Sequence, residues 1–358
     1  MDFGLSQEQT LLGDTVARFL GDRCSTDRVR AVMAAGDGHD RDLWAGLQEL
    51  GIGALAVPEA AGGLGSELLD LALVSEALGY AAAPGPFLGA AMAAIALAAG
   101  ESDESWLAKS ATGEALGTVA IGERGGRWDA DQLQATVEGG RLSAAKTMVP
   151  YADVADYFVV AARDGDTAAL WLVEGGQPGI ETTALVGNDA TRRLHAVTFE
   201  DVAARRVGGE AAFAKVRDAG LILVAADAFG GARRCLEMAT AYALEREQFG
   251  QVIGAFQAVK HQLANLATDL EPSRSLVWYA AHAWDRIPDD APRHAALAKA
   301  RSCDLYDRAA RDSTELHGGI AFTWEFDLHL WFRRSIFDRS FLGDASYHRA
   351  RAAALAGW

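Results

Sequence analysis

Cysteine, proline and positive charge are scarce in this chain of 358 residues. The three cysteines, Cys24, Cys235 and Cys303, lie far apart with no Cys-x-x-Cys pair, so neither a disulfide framework nor a zinc site is expected. Lysine and arginine number 33 against 49 acidic residues, a formal net charge of -16. That excess argues against nucleic acid or an anionic membrane surface as the main partner, because phosphate recognition needs a basic footprint. The most apolar stretch, Phe87 to Gly100, is alanine-rich and shorter than the ~20 residues that cross a bilayer, so no membrane span is expected. The amino terminus, Met1-Asp-Phe-Gly-Leu-Ser-Gln-Glu, has an early acid and no basic segment leading into an apolar run, so no signal peptide is expected. Unpaired cysteines and the missing leader together suggest a cytoplasmic protein. Internal repeats, low-complexity linkers and metal-ligand clusters are also missing.

What remains is a composition close to the globular average, with half the residues hydrophobic, enough for one large core or two to three smaller ones. Residues 1–115 read as helices: Ser6 with Glu8 and Gln9 is a start signal, and Leu11, Leu12, Val16, Phe19 and Leu20 recur at helical spacing. Further helices are expected over Arg41 to Leu50, stopped by Gly51, and over Leu68 to Leu78. The glycine cluster after Pro58-Glu59 has no following Lys-Ser/Thr and no preceding strand, so it is a turn rather than a phosphate loop. Over 116–207 the apolar period becomes two, in Leu133–Val137, Tyr157–Ala161, Ala168–Val173 and His195–Phe199, which predicts a small antiparallel β domain. Residues 208–358 return to helical period, with breaks expected at Pro272, at Pro288 to Pro292 and at Gly318-Gly319. The fold class is α+β: an N-terminal helical domain, a middle antiparallel β domain and a C-terminal helical bundle.

Three motifs stand out. Arg246-Glu-Gln-Phe-Gly250 closes a long apolar helix, Phe256-Gln257 follows it, and Glu315-Leu-His-Gly-Gly319 lies downstream. An arginine fork and a side-chain-free glycine turn suit a diphosphate held far from any dinucleotide-binding βαβ unit. Together with Pro58-Glu-Ala-Ala-Gly-Gly-Leu-Gly65, these segments resemble the acyl-CoA dehydrogenase family over the whole chain. The resemblance implies an FAD cofactor, an acyl-CoA substrate, an electron-transfer acceptor and an oligomer in which Arg246, Gln248, Phe249, Gln257, Glu315, Gly318 and Gly319 contact the adenosine diphosphate of a neighbour's FAD. Glu315 stands where the family generally has Gln, placing a carboxylate beside the diphosphate.

Elsewhere the family pattern fails. The Thr-Glu-Pro-x-x-Gly-Ser-Asp segment that holds the flavin ring in the family corresponds to Ile121-Gly-Glu-Arg-Gly-Gly-Arg-Trp128-Asp129, and the segment over one flavin face corresponds to Lys146-Thr-Met-Val-Pro150-Tyr151. The carboxylate that removes the α-proton would fall at Leu342 or, in a minority of the family, near Gly220, and neither side chain can take a proton. Asp227, on an apolar helix where burial would raise its pKa, and Asp344, offset by two residues from Leu342, are the weak candidate bases. The resemblance is closest to subunits of actinobacterial heterotetrameric dehydrogenases of steroid side-chain CoA esters, which implies a paralogous partner supplying the Glu and the flavin-ring loop. A self-sufficient homo-oligomer with a displaced base, and an FAD-free scaffold, remain as alternatives.

Overall fold

Each of the first three helices begins on a side-chain cap. In α1 (Gln7–Arg23) Ser6 and Gln9 form a reciprocal capping box; Ser25 caps α2 (Thr26–Ala35), and Asp40 caps α3 (Arg41–Glu49). The computed structural model describes residues 4–36, 38–100 and 104–358; Met1-Asp-Phe, part of the leader reading, lies outside them. α4 (Leu68–Tyr80) and α5 (Phe87–Ala99) are apolar almost all round because they are enclosed, α4 between α1 and the first long carboxy-terminal helix, α5 between that helix and the sheet. α6 (Glu104–Thr112) completes this layer.

The middle segment forms an eight-stranded sheet: β1 (Gly117–Ala120), β2 (Thr136–Glu138), β3 (Arg141–Pro150), β4 (Tyr157–Asp164), β5 (Thr167–Glu174), β6 (Ile180–Ala184), β7 (Leu194–Ala203) and β8 (Arg205–Gly208). It is mixed rather than purely antiparallel, since β1 and β2 both pair parallel with β4. The central strands are buried on both faces. Tyr157, Val159 and Ala161 of β4 join the core beneath the helices, whereas Phe158, Val160 and Ala162 join a second core with Phe199 of β7. This explains why β4 reads as an unbroken apolar run instead of an alternating one.

α7 (Glu210–Glu245) is the spine of the molecule, 36 residues or about 54 Å long, in contact with α4, α5 and β5. Its backbone touches that of α4, because a Cβ on Gly79 would collide with the carbonyl of Asp227 and one on Gly230 with that of Glu76. A hairpin of β9 (Glu247–Gln248) and β10 (Gln251–Val252) follows, and then α8 (Gln257–Arg286). The break expected at Pro272 does not occur. Pro272 is exposed, so the carbonyl it leaves unbonded faces water, while Leu270, Ser273 and Val277 hold the helix against the core, with Ser273 Oγ 2.9 Å from Ser302 Oγ. The next break does occur, with Pro292 in the first turn of α9 (Ala291–His317); α10 (Leu328–Ser340) and α11 (Ala345–Leu355) close the bundle. Among the described residues no helix is long and apolar enough to cross a membrane, and no cluster of His, Cys, Asp or Glu could hold a metal ion.

All three layers meet at a buried ionic cluster. Arg334 of α10, fully buried, donates from Nε to Asp189 (2.7 Å) and from Nη2 to the Ala83 carbonyl (3.0 Å) and the Thr191 hydroxyl, with Nη1 3.4 Å from Asp227. Arg192 binds the other side of Asp227 and reaches the carbonyls of Ala83 (3.4 Å) and Gly85 (3.5 Å). One network therefore joins the loop before α5, the loop before β7, α7 and α10.

Candidate functional site

Two regions along α7 correspond to the sequence motifs, and they differ in kind. At its carboxy-terminal end Arg246 caps the helix, and its carbonyl accepts from Ile253 N at 2.7 Å. β9 and β10 are joined through Phe249 (φ 52°) and Gly250 (φ 77°), two left-handed residues in succession, as a tight type I′ hairpin requires. Glycine accepts that conformation freely; a phenylalanine there is strained by ~1–2 kcal/mol. The ring it presents is 92 % exposed, edge-on to Phe256. Gln248 and Gln257 are exposed beside it, and Arg246 has no carboxylate partner among the described residues.

The second motif arrives at the same end. His317, last residue of α9, stacks on Tyr242 with ring centroids 4.4 Å apart, one turn before Arg246. Its Nδ1–H donates to the Ser313 carbonyl (2.7 Å), and burial depresses its pKa, so it is a neutral packing group clasped by Tyr242 and Phe326. Gly318 follows with φ 66°, and a Cβ on Gly250, Gly318 or Gly319 would meet nothing within 4 Å. Glu315 is exposed on the last turn of α9. Arginine, open glycine backbone and exposed aromatic ring thus converge on one rim, and such a rim fits a nucleotide diphosphate arriving from outside this chain.

Midway along α7 the surroundings are filled. A Cβ added to Gly220 would lie 2.5 Å from Met92 Cε and 2.8 Å from Leu342 Cδ1. Gly220 and Leu342 therefore meet at one point, with Met92 of α5 packed against it. Leu342 is 1 % exposed, with φ 61°, in a loop pinned by Lys299, which donates to the carbonyls of Asp338 (2.7 Å) and Gly343 (2.9 Å), and by His348, whose Nε2–H donates to the Leu342 carbonyl (2.8 Å). Burial drives the His348 pKa down to about 3, so it stays neutral.

The loop after β1 is filled as well. A Cβ on Gly122 would lie 2.5 Å from the Trp128 ring, which packs edge-on against Phe341 at 5.7 Å. Lys146 sits wholly buried with Nζ 2.7 Å from Glu123 Oε1, and Glu123 also accepts from the backbone of Gln134 and Ala135. Burial lowers the Lys146 pKa to about 8 despite Glu123; burial also raises the Glu123 pKa, but the Lys146 charge and these hydrogen bonds outweigh it and hold it below the ordinary range. The open rim at the carboxy-terminal end of α7 suits the adenosine diphosphate half of FAD, whereas the loop after β1 is packed by Trp128.

Both acids singled out from sequence are engaged in structural contacts. Asp227 is bound between Arg192 and Arg334, and Asp344 is the exposed N-cap of α11, accepting from Tyr347 N at 2.9 Å. The arginines that engage Asp227 lie 35 and 107 residues away and carry no sequence signal linking them to it. Trp128 was visible as a departure, but not as the group that fills the vacated space.

Known proteins agree with this architecture. The family descriptions "Acyl-CoA dehydrogenase, N-terminal domain" and "Acyl-CoA dehydrogenase, C-terminal domain" match residues 6–114 and 209–356. The chain is 35 % identical to the acyl-CoA dehydrogenase IpdE2 of Mycobacterium tuberculosis over 92 % of its own length and 91 % of the relative's. Among solved structures, the Tcur3481-Tcur3483 steroid ACAD superposes with a TM-score of 0.92 at 31 % identity, covering 98 % of both chains. The ChsE4-ChsE5 complex from Mycobacterium tuberculosis gives 0.91 at 29 % identity, covering 100 % of this chain and 99 % of that one. The chain therefore belongs to the acyl-CoA dehydrogenase family of FAD-dependent oxidoreductases.

Proposed function

We propose that this chain is the base-less half of a heteromeric acyl-CoA dehydrogenase, holding the adenosine diphosphate of an FAD whose flavin ring and catalytic Glu belong to a paralogous partner. The observation that carries this reading is the closure at Gly220: the two places from which the family's base would come hold glycine and leucine, which meet against Met92. When bound, FAD supplies the two-electron acceptor for α,β-dehydrogenation of the thioester. This chain contributes grip and exclusion. Arg246 pairs with the diphosphate through its fork, the Gly318-Gly319 backbone approaches it without side-chain obstruction, and Phe249 and Gln248 border the sugar and adenine. Asp227 and Asp344 serve structure, as an ion-pair centre and a helix cap.

The likeness to a steroid ACAD and to ChsE4-ChsE5 supports a bulky steroid-type acyl-CoA as the substrate and an unlike pair as the working unit. Reoxidation of the flavin would then fall to an electron-transfer protein, as the family fold implies. Co-expression with the paralogous chain tests the reading. Replacing the partner's catalytic carboxylate should abolish turnover, whereas Asp344→Asn in this chain should leave it unchanged. Turnover that survives the first change and disappears with the second would place the base here.

A further inference from the structure

Away from both regions, a cleft of about 290 Å³ opens where α4, α5, α7 and α8 meet the turn after Pro58. Its size lies at the lower edge of the ~300–1,000 Å³ range of small-molecule sites. The walls are apolar, from Leu68 and Leu71 of α4, Ile95 and Ala98 of α5 and Trp284 of α8, and the cation at the rim is Lys215 of α7. The Lys215 ammonium lies 4.4 Å from the centre of the Trp284 ring, and that ring is fixed by its Nε1–H donating to the Lys215 carbonyl at 2.9 Å. The acids nearby are engaged elsewhere: Asp285 accepts from Leu68 N at 2.7 Å, and Glu67 is paired with Arg286. Among the described residues no carboxylate lies within ion-pair distance of Lys215. In a chain carrying sixteen excess negative charges, a cation held by an aromatic face and by no ion pair at the mouth of an apolar cleft is a local exception that suits an anion with an apolar tail, even with Asp285 near enough to feel its charge.

We propose that this cleft binds a medium-chain carboxylate, its alkyl tail between α4 and α5 and its head on Lys215. Met92, Gly220 and Leu342 do not line this cleft, and the proposal is independent of how the FAD is shared. A charge-assisted contact at the head gives orientation, and each methylene buried in the cleft adds about fourfold in affinity.

The test is calorimetric titration of the full chain, in its heteromer where one forms, with hexanoate, octanoate, decanoate and decanol. Affinity should rise about fifteenfold for each added pair of methylenes until the cleft is full, and decanoate should exceed decanol. Lys215→Met, an exposed change, should weaken decanoate tenfold or more and leave decanol unchanged, whereas Ala98→Phe, which fills the cleft, should abolish both. Circular dichroism melting shows whether Ala98→Phe still folds; if it does not, Lys215→Met alone decides. Absence of saturable decanoate binding, or decanoate affinity unmoved by Lys215→Met, overturns the proposal.

Discussion

The carboxy-terminal end of α7 and its midpoint were built by opposite choices. At the end, Arg246, Gln248, Phe249 and Gly319 are exposed, glycine backbone is left open, and a phenylalanine is held in a left-handed turn. At the midpoint, where family members need space for a flavin, an acyl chain and a base, Trp128, Phe341, Leu342 and Met92 pack until a single Cβ on Gly220 has no room. Exposed strain with unused hydrogen-bonding capacity is the mark of a surface that awaits a ligand. Tight filling by apolar side chains is the mark of a core. One helix therefore carries an open rim at its end and a closed core at its midpoint.

That contrast predicts that changes at the midpoint act on stability and changes at the end act on flavin. The largest effect is expected for Arg334→Ala. It would leave Asp189 buried with no cation beside it and Asp227 with Arg192 alone, a loss of ~3–5 kcal/mol. Urea denaturation should show it, with flavin content per folded heteromer unchanged. Arg246→Ala should do the reverse: the melting temperature of the flavin-free chain holds, while FAD binding in the heteromer falls ten- to a hundredfold, the ~1.5–3 kcal/mol of a charge-assisted pair. A parallel loss of stability in that variant would blur the two regions into one.

Acid sharpens the comparison next. The folded pKa of His348 is about 3, against 6.5 for the free side chain, so below pH 6.5 the unfolded chain takes up a proton that the folded chain refuses. Its contribution is fully present above pH 6.5 and is lost as pH falls towards 3, at up to ~1.4 kcal/mol per pH unit. His348→Gln, which keeps a donor for the Leu342 carbonyl, should flatten that part of a stability–pH curve. Asp344→Ala removes a helix cap and should cost about 1 kcal/mol in denaturant titration. Phe249→Gly relieves a left-handed residue at the hairpin tip, so the isolated chain should shift by less than ~1 kcal/mol while the heteromer dissociates faster in dilution experiments.

Local signals were legible in the sequence and long-range ones were not. Ser6 with Gln9, the stop at Gly51 and the Gly318-Gly319 turn are side-chain or backbone requirements met within a few residues, and each appears where the pattern places it. The parallel pairings of β4 depend on partners distant in sequence, and the continuity of α8 through Pro272 depends on packing that overrides a local penalty. In the site, the Arg246 and Gly318 segments are contiguous motifs, and the structure brings both to the carboxy-terminal end of α7. That Asp227 is held by Arg192 and Arg334, and that Gly220 faces Leu342, are facts of three-dimensional packing with no period or spacing to announce them.

The most direct measurement is the flavin content and acyl-CoA oxidation of this chain purified alone and purified with its paralogous partner. The account predicts a chain that, alone, carries no flavin absorbance and oxidises no acyl-CoA, and a complex that holds one FAD per unlike pair and turns over. A homomeric preparation holding one FAD per subunit and oxidising a steroid-type or other acyl-CoA would contradict it.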